Sequence, residues 1–243
     1  MVTTDSVDCQ LDRLSRVDIV RWMIVNLILT SDFPSHPTAE IVQRIRAVAR
    51  HPRVAWVAPA SAIRRLWFLA ARRTFRRLAL PDLAAVDLTP RPSRRLADDF
   101  DVVYLSGGHP HHFRAVLEKS GLLAELTAFA RSGGLVVAAS GGAMQVTPNI
   151  SLHRLLRREV AEVLAERGRH EGLGLVGFEF LPHLNRHNPR FLERVRVYSE
   201  AVPHDILGVD DGGAISATTN GEVSVIGRAV RFRQGMVSPF EAV

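Results

Sequence analysis

Three short stretches carry residue types that could do chemistry together. Leu135-Val-Val-Ala-Ala139 is an apolar run that passes straight into Ser140, Gly141 and Gly142, then into a helix-compatible segment. This is the layout of a nucleophile elbow, in which a tight strand-to-helix turn lifts a hydroxyl above the sheet edge near a helix N-terminus. Small residues are needed because backbones approach closely there. In such an elbow the N–H that follows the nucleophile, here that of Gly141, is one donor to an oxyanion. Asp101-Val-Val-Tyr-Leu105 likewise runs into Ser106, Gly107 and Gly108. If the two strands are neighbours, Gly108 supplies the second donor. Each stretch alone also reads as a small-residue turn that packs a helix onto a strand.

A serine nucleophile needs a base, and ten histidines compete for that place. His183 stands out because Val176-Gly-Phe-Glu-Phe-Leu-Pro182 delivers it at the far end of an apolar run. Catalytic groups of parallel sheets gather at such strand ends. His111 and His112 follow the glycine pair and would line the same site, with His111 facing substrate. His170 and His204 lie in polar, loop-like contexts. His183-x-x-x-His187 lacks the neighbouring glutamate of a zinc motif.

Those residues must be positioned by the elements around them. Met23–Thr30, Val54–Ala58, Ala84–Leu88, Asp101–Leu105 and Leu135–Ala139 read as short apolar strands. Helical patterns lie between them at Thr38–Arg50, through the arginine-rich stretch that Pro81 ends, at His112–Lys119 and at Leu122–Ala130. Strands that are apolar throughout and alternate with helices predict a parallel sheet covered on both faces. Ala214–Thr218, Val223–Ile226 and Ala229–Phe232 are separated by Asp210-Asp-Gly-Gly213, Asn220-Gly221 and Gly227, and Asn-Gly between strands is a hairpin signal. The expected fold is a three-layer α/β/α domain with a mostly parallel sheet and a small antiparallel C-terminal section. Residues 1–22 read as an extension, with Met23 an alternative start, and 23–243 as one domain.

Composition narrows the class. Of 243 residues, 47% are hydrophobic and 23% charged, which excludes wholesale disorder. The longest apolar run, Trp22–Leu29, is short and contains Asn26, well under the ~18 residues a membrane span needs. Asp5, Asp8 and Asp12 and the lack of a cationic start argue against a secretory signal. Cys9 is the only cysteine, which excludes a disulfide framework, a cysteine-rich zinc site and a core cysteine nucleophile. A cytoplasmic enzyme is the expectation. The net charge of +6 comes almost wholly from arginine, since Lys119 is the single lysine. Arg64, Arg65, Arg72, Arg73, Arg76 and Arg77 form a stripe, but Ile63, Leu66, Trp67 and Ala70 recur between them at helical spacing. A solvated helix face is favoured over nucleic-acid binding, as no recognition motif accompanies the charge.

Several pieces, taken in order, resemble peptidase family S51, the group of peptidase E and cyanophycinase. They are Leu-Thr-Ser-Asp-Phe at 29–33, Tyr-Leu-Ser-Gly-Gly at 104–108, Ala-Ser-Gly-Gly-Ala-Met at 139–144, Gly-Leu-Gly-Leu-Val at 172–176, Leu-Pro-His-Leu-Asn at 181–185 and Gly-Val-Asp-Asp at 208–211. The resemblance spans Ile24–Phe232 and implies a fold like that of class I glutamine amidotransferases. It implies a serine nucleophile (Ser140), a histidine base (His183), and an acid lying between them in the chain. Ala138 and Gly141 depart from the family's elbow, Gly-x-Ser-Ala-Gly-Ala, but keep its residues small. Glu159 is the candidate acid, with Glu162 beside it. Both read equally well as solvated charges on an amphipathic helix over Ser151–Arg167, and Asn149 also falls close to the elbow.

The resemblance further implies a small peptide substrate, such as a dipeptide with N-terminal aspartate, which Arg186 would contact. No metal or organic cofactor is implied, and neither nucleic acid nor membrane is an expected partner; a homodimer is allowed for. The competing reading is an amidotransferase-like binding or sensing domain that kept the scaffold and lost the chemistry. A carboxylate within hydrogen-bond reach of His183 separates the two. Glutamine amidotransferase chemistry itself fits less well, because it uses a cysteine where Ser140 stands.

Overall fold

The structure, a computed structural model, describes residues 26–59, 64–89, 96–218 and 222–241. The N-terminal extension, Met23, Cys9, Ile63 and the Asn220-Gly221 turn lie outside the described residues. The strands are β1 (Asn26–Thr30), β2 (Val54–Val57), β3 (Leu83–Ala85), β4 (Val102–Leu105), β5 (Leu135–Ala139), β6 (Phe178–Leu181), β7 (Asp205–Val209), β8 (Ala214–Thr218), β9 (Val223–Ile226), β10 (Ala229–Arg233) and β11 (Met236–Pro239). The helices are α1 (Ala39–Ala47), α2 (Arg64–Arg77), α3 (Leu96–Asp99), α4 (Pro110–Lys119), α5 (Leu122–Arg131), α6 (Gly141–Gln145), α7 (Val160–Ala165) and α8 (Pro189–Ala201).

One sheet has seven strands in the order β3-β2-β4-β5-β1-β8-β9. The five strands from β3 to β1 are parallel, and β8 and β9 run antiparallel at the far edge. A second sheet, β11-β10-β7-β6, is antiparallel except for the β6–β7 pair. The continuous apolar runs at β2, β4 and β5 are buried at every position, because side chains alternate between two covered faces. Leu27, Val103, Leu105 and Val136 pack with Phe113, Leu117, Leu126 and Phe129 of α4 and α5. Ile28, Trp56, Tyr104 and Val137 pack with Ile41 and Ile45 of α1 and Phe75 of α2. A third apolar cluster joins the second sheet to α7 and α8 through Val163, Val195, Tyr198, Ile206 and Phe232.

Several elements differ from the sequence reading. On α2 the buried residue is Phe75, with Phe68, Ala71 and Leu78 packed partly against the core, while Leu66 and Trp67 are exposed. Residues 68, 71, 75 and 78 keep the 3–4–3 spacing of one helix face and carry two phenylalanines, so that face wins burial. Arg65, Arg73, Arg76 and Arg77 are exposed; Arg72 and Arg76 pair with Asp82, and Arg64 is half-buried over the Trp56 ring. The expected helix over Ser151–Arg167 is broken into a 3-10 turn (Ser151–Leu156), α7 and a second 3-10 turn (Arg167–Arg169). Packing overrides periodicity here: Asn149 receives the Ser151 N–H and donates to the Arg167 carbonyl, holding the two ends of the segment together. Finally, β7, β11 and α8 have no counterpart in the sequence reading.

Among the described residues, no helix is long and apolar enough to cross a membrane. One buried carboxyl links the second sheet to α8 and to the turn at Arg167. Glu179 of β6 is fully buried, with its carboxylate on Arg167 at 2.7 Å and on the Tyr198 hydroxyl at 3.2 Å. Burial pushes its carboxyl above the ordinary range despite the arginine. Removing the arginine strands that carboxyl, so Arg167→Met is expected to cost about 3 kcal/mol near neutral pH. A buried acid with a raised folded-state pKa loses stability as pH rises above its unfolded value. The loss should therefore be larger at pH 8 than at pH 5, as read by urea unfolding.

Candidate active site

The carboxyl ends of β1, β4 and β5 in the first sheet meet those of β6 and β7 in the second. Ser140 is the turn between β5 and α6, and it adopts φ 50°, ψ −119°. A non-glycine residue there is strained by about 1–3 kcal/mol and persists only where its surroundings fix it. The Ser140 N–H donates to the Thr30 carbonyl at 3.0 Å, and the Ser140 carbonyl accepts from Met144 at 3.2 Å. The strain and the small neighbours are those of a nucleophile elbow. Strand β4 is the direct neighbour of β5, with Leu105 opposite Ala138, so Gly107 and Gly108 lie alongside the serine.

His183 follows β6 by two residues, in a left-handed conformation (φ 58°). Its Nε2 is 3.0 Å from Ser140 Oγ. Its Nδ1 is 2.6 Å from the Oδ1 of Asp211, a carboxylate only 7% exposed. Asp211 sits in the turn that leads from β7 of one sheet to β8 of the other. Ser31, just past β1, completes the arrangement. Its hydroxyl donates to Asp211 Oδ1 at 2.7 Å, accepts the His183 N–H at 2.8 Å, and lies 3.2 Å from His183 Nδ1. With Nδ1 facing a carboxylate, the imidazole proton belongs on Nδ1, and Nε2 is left to accept from Ser140.

Further bonds hold the Asp211 turn. Asn185 accepts the Asp211 N–H at 3.0 Å, Asp32 accepts the Gly212 N–H at 3.0 Å, and Ser31 N–H donates to the Gly213 carbonyl at 3.1 Å. Burial works against ionisation of Asp211. The hydrogen bonds from His183 and Ser31 and the charges of His183 and Arg186 outweigh it and hold the carboxyl below the ordinary range. The group is a carboxylate at neutral pH.

The structure brings together Ser140, His183, Gly108 and Gly141, which line one cavity of about 170 Å³. It does not bring Glu159 to them. That residue caps α7, is exposed, and pairs with Arg194; Glu162 pairs with Arg158 at 3.6 Å. The carboxylate beside the His183 imidazole is that of Asp211, which follows both Ser140 and His183 in the chain rather than lying between them. Asn149 is occupied in holding the broken helical segment. Arg186 points at the site from outside, pairing with Asp211 and lying 3.7 Å from Asp32, so its charge is already matched by protein carboxylates. His111 belongs to a neighbouring group of rings. Its centroid lies 4.7 Å from that of His170 and 5.9 Å from that of His153, and His153 lies 4.7 Å from His109.

Sequence reasoning missed Asp211, Ser31 and Asn185. Asp210-Asp211-Gly-Gly reads as a turn separator and Ser31 as part of a loop, although the pieces at 29–33, 181–185 and 208–211 that carry the family resemblance contain all three residues. The available signal was position: Asp211 follows the apolar run Ile206–Val209 as His183 follows Phe178–Leu181.

Gly141 is required at its position. A Cβ there would lie 1.9 Å from the Gly108 carbonyl oxygen, and backbone cannot yield as a side chain does. Gly141→Ala is expected to displace the turn that carries Ser140 and lower turnover by about 100-fold, in steady-state assays on the folded variant. The histidine group predicts a pH response. Burial, then neighbouring positive charge, lowers His111 and His153 to about 4. An imidazole with a depressed folded-state pKa binds protons more readily when unfolded. Its contribution is complete above about pH 6.5 and is lost as pH falls towards 4. The urea midpoint of the wild type should drop more steeply across that window than that of His153→Asn.

The comparisons with known proteins bear on the same region. A crystal structure of a peptidase from an acI-B1 Actinobacterium matches 91% of this chain and 96% of its own, with a TM-score of 0.60 at 16% identity. The crystal structure of a putative peptidase E protein from Listeria monocytogenes EGD-e matches 84% of this chain and 98% of its own, with a TM-score of 0.62 at 20% identity. At these identities the likeness is one of fold. No curated protein sequence matches the chain significantly. The family model for peptidase family S51 matches residues 27–226, a span that contains every residue of the site just described, and the chain belongs to that family.

Proposed function

We propose that this chain is a serine peptidase acting on small peptides, with Ser140 as nucleophile, His183 as general base and acid, and Asp211 as the group that orients the imidazole. The observation that carries this reading is the unbroken chain from Ser140 Oγ to His183 Nε2 at 3.0 Å and from His183 Nδ1 to Asp211 Oδ1 at 2.6 Å. Membership of a peptidase family supports the same class of reaction. The reading of a domain that kept the scaffold and lost the chemistry rested on the altered elbow, with Ala138 and Gly141, and on the unclear acid; Asp211 beside His183 counts against the second ground.

In this mechanism Ser140 Oγ attacks the carbonyl carbon of the scissile amide as its proton passes to His183 Nε2. Asp211 keeps the Nδ1–H in place and stabilises the imidazolium that forms. It remains ionised throughout, which its depressed pKa favours. The N–H groups of Gly108 and Gly141 receive the oxyanion. His183 then protonates the leaving amine, and the C–N bond breaks to leave an acyl ester on Ser140. Water, deprotonated by the same nitrogen, hydrolyses that ester and restores the serine hydroxyl. Ser31 acts on the other two groups, donating to the carboxylate and fixing the backbone of His183.

Hydrolysis of a mixed dipeptide panel tests the assignment. Ser140→Ala is expected to lower kcat by about 10⁶-fold and to abolish covalent labelling by a fluorophosphonate, as read by intact mass. Asp211→Asn should retain the melting behaviour of the wild type to within a few degrees and lose about 10⁴-fold in kcat. Turnover that persists in Ser140→Ala would refute the nucleophile assignment.

A further inference from the structure

The cavity that opens on Ser140 is walled largely by apolar side chains. Its walls beyond the reacting groups are Met144, Leu152, Leu156, Leu181 and Phe191, with His153 and His187 between them. Among the described residues no arginine or lysine lines it. Leu156 is 47% exposed, an apolar side chain standing open at a cavity that also contains the proposed nucleophile. Arg186, the cation nearest the histidine in sequence, is held by Asp211 and Asp32 instead.

From this arrangement we infer that the substrate residue beside the scissile bond is apolar, with a side chain of the size of leucine, methionine or phenylalanine, and is not acidic. The inference rests on the serine peptidase reading above and concerns which peptides that site accepts. The volume of about 170 Å³ is that of a cavity able to hold a benzene-sized group. An apolar side chain entering it gives up water and meets carbon on several sides. A carboxylate entering it loses hydration and gains no cation, a cost that unpaired burial does not recover. The two histidines do not supply one: burial holds His153 at about 4 and His187 below the ordinary imidazole range, so both rings are neutral at pH 7.

The test is kcat/KM for a matched set of dipeptides, Leu-Gly, Phe-Gly, Gly-Leu and Gly-Phe against Asp-Gly, Gly-Asp, Arg-Gly and Gly-Arg, run beside fluorophosphonate labelling of Ser140. The best apolar member is expected to exceed every charged member by about 10-fold or more. In Leu156→Arg, a change at an exposed position, the ratio of apolar to acidic turnover should fall by about 10-fold. Equal or better cleavage of the aspartyl peptides overturns this inference alone, as does a ratio unmoved by Leu156→Arg. Labelled Ser140 with no cleavage of any apolar member also overturns it while leaving the serine reading in place. Failure of both labelling and cleavage overturns the peptidase reading and this inference with it.

Discussion

The carboxylate of Asp211 is the point at which the ends of the two sheets and the proposed reacting groups meet. It accepts from the His183 imidazole and the Ser31 hydroxyl, so the ends of β1, β6 and β7 converge on one buried anion. Such a group is stable only if its lone pairs are met, and here they are met by side chains from separate parts of the chain. The turn that carries Asp211 is also the link from the second sheet to the first. Shifting it would uncouple the histidine and the sheet packing at once. Charge-assisted hydrogen bonds are the stronger kind, which suits a joint that, in the proposed mechanism, also holds when the imidazole becomes charged.

The same joint explains why two strained backbones are tolerated. Ser140 and His183 both have positive φ, in residues for which that is unfavourable. Each is held by a bond to the end of β1: Ser140 through the Thr30 carbonyl and His183 through the Ser31 hydroxyl. The serine is thus aimed from one sheet and the histidine from the other, with β1 as their common reference. In the proposed mechanism, preorganisation of this kind lets the hydroxyl and the imidazole meet without a reorganisation cost at the moment of reaction. In the proposed mechanism the apolar cavity beside them adds a second condition, since desolvating the substrate carbonyl would strengthen every dipole aimed at it.

Much of this was legible in the residues themselves. The apolar runs at β2, β4 and β5 announce a doubly covered parallel sheet because burial on both faces leaves no polar alternation. Ser140 and His183, which the structure places 3.0 Å apart, stand out in the sequence by their position at strand ends, and Gly108 and Gly141, which line the same cavity, by their place beside the serine. Asp211 was hidden because Asp-Asp-Gly-Gly has the composition of a turn, and its neighbour β7 begins with aspartate and contains a glycine, which blurs the strand signal. Its partnership with His183 depends on β6 and β7 pairing in parallel, a tertiary fact that no local pattern encodes. Glu159 was attractive by sequence position alone. In the folded chain the segment Ser151–Arg167 is broken by packing, and that carboxylate faces Arg194 and solvent. The buried face of α2 was misread for a related reason: several apolar residues offered more than one stripe, and only packing chose the one with Phe68 and Phe75.

The most direct test of the central claim is the crystal structure of the protein after reaction with a fluorophosphonate. The account predicts phosphorus bonded to Ser140 Oγ, its phosphoryl oxygen within hydrogen-bond distance of the Gly108 and Gly141 N–H groups, and His183 still on Asp211. An adduct on another residue, or a phosphoryl oxygen turned away from both glycines with the His183–Asp211 bond broken, would contradict it.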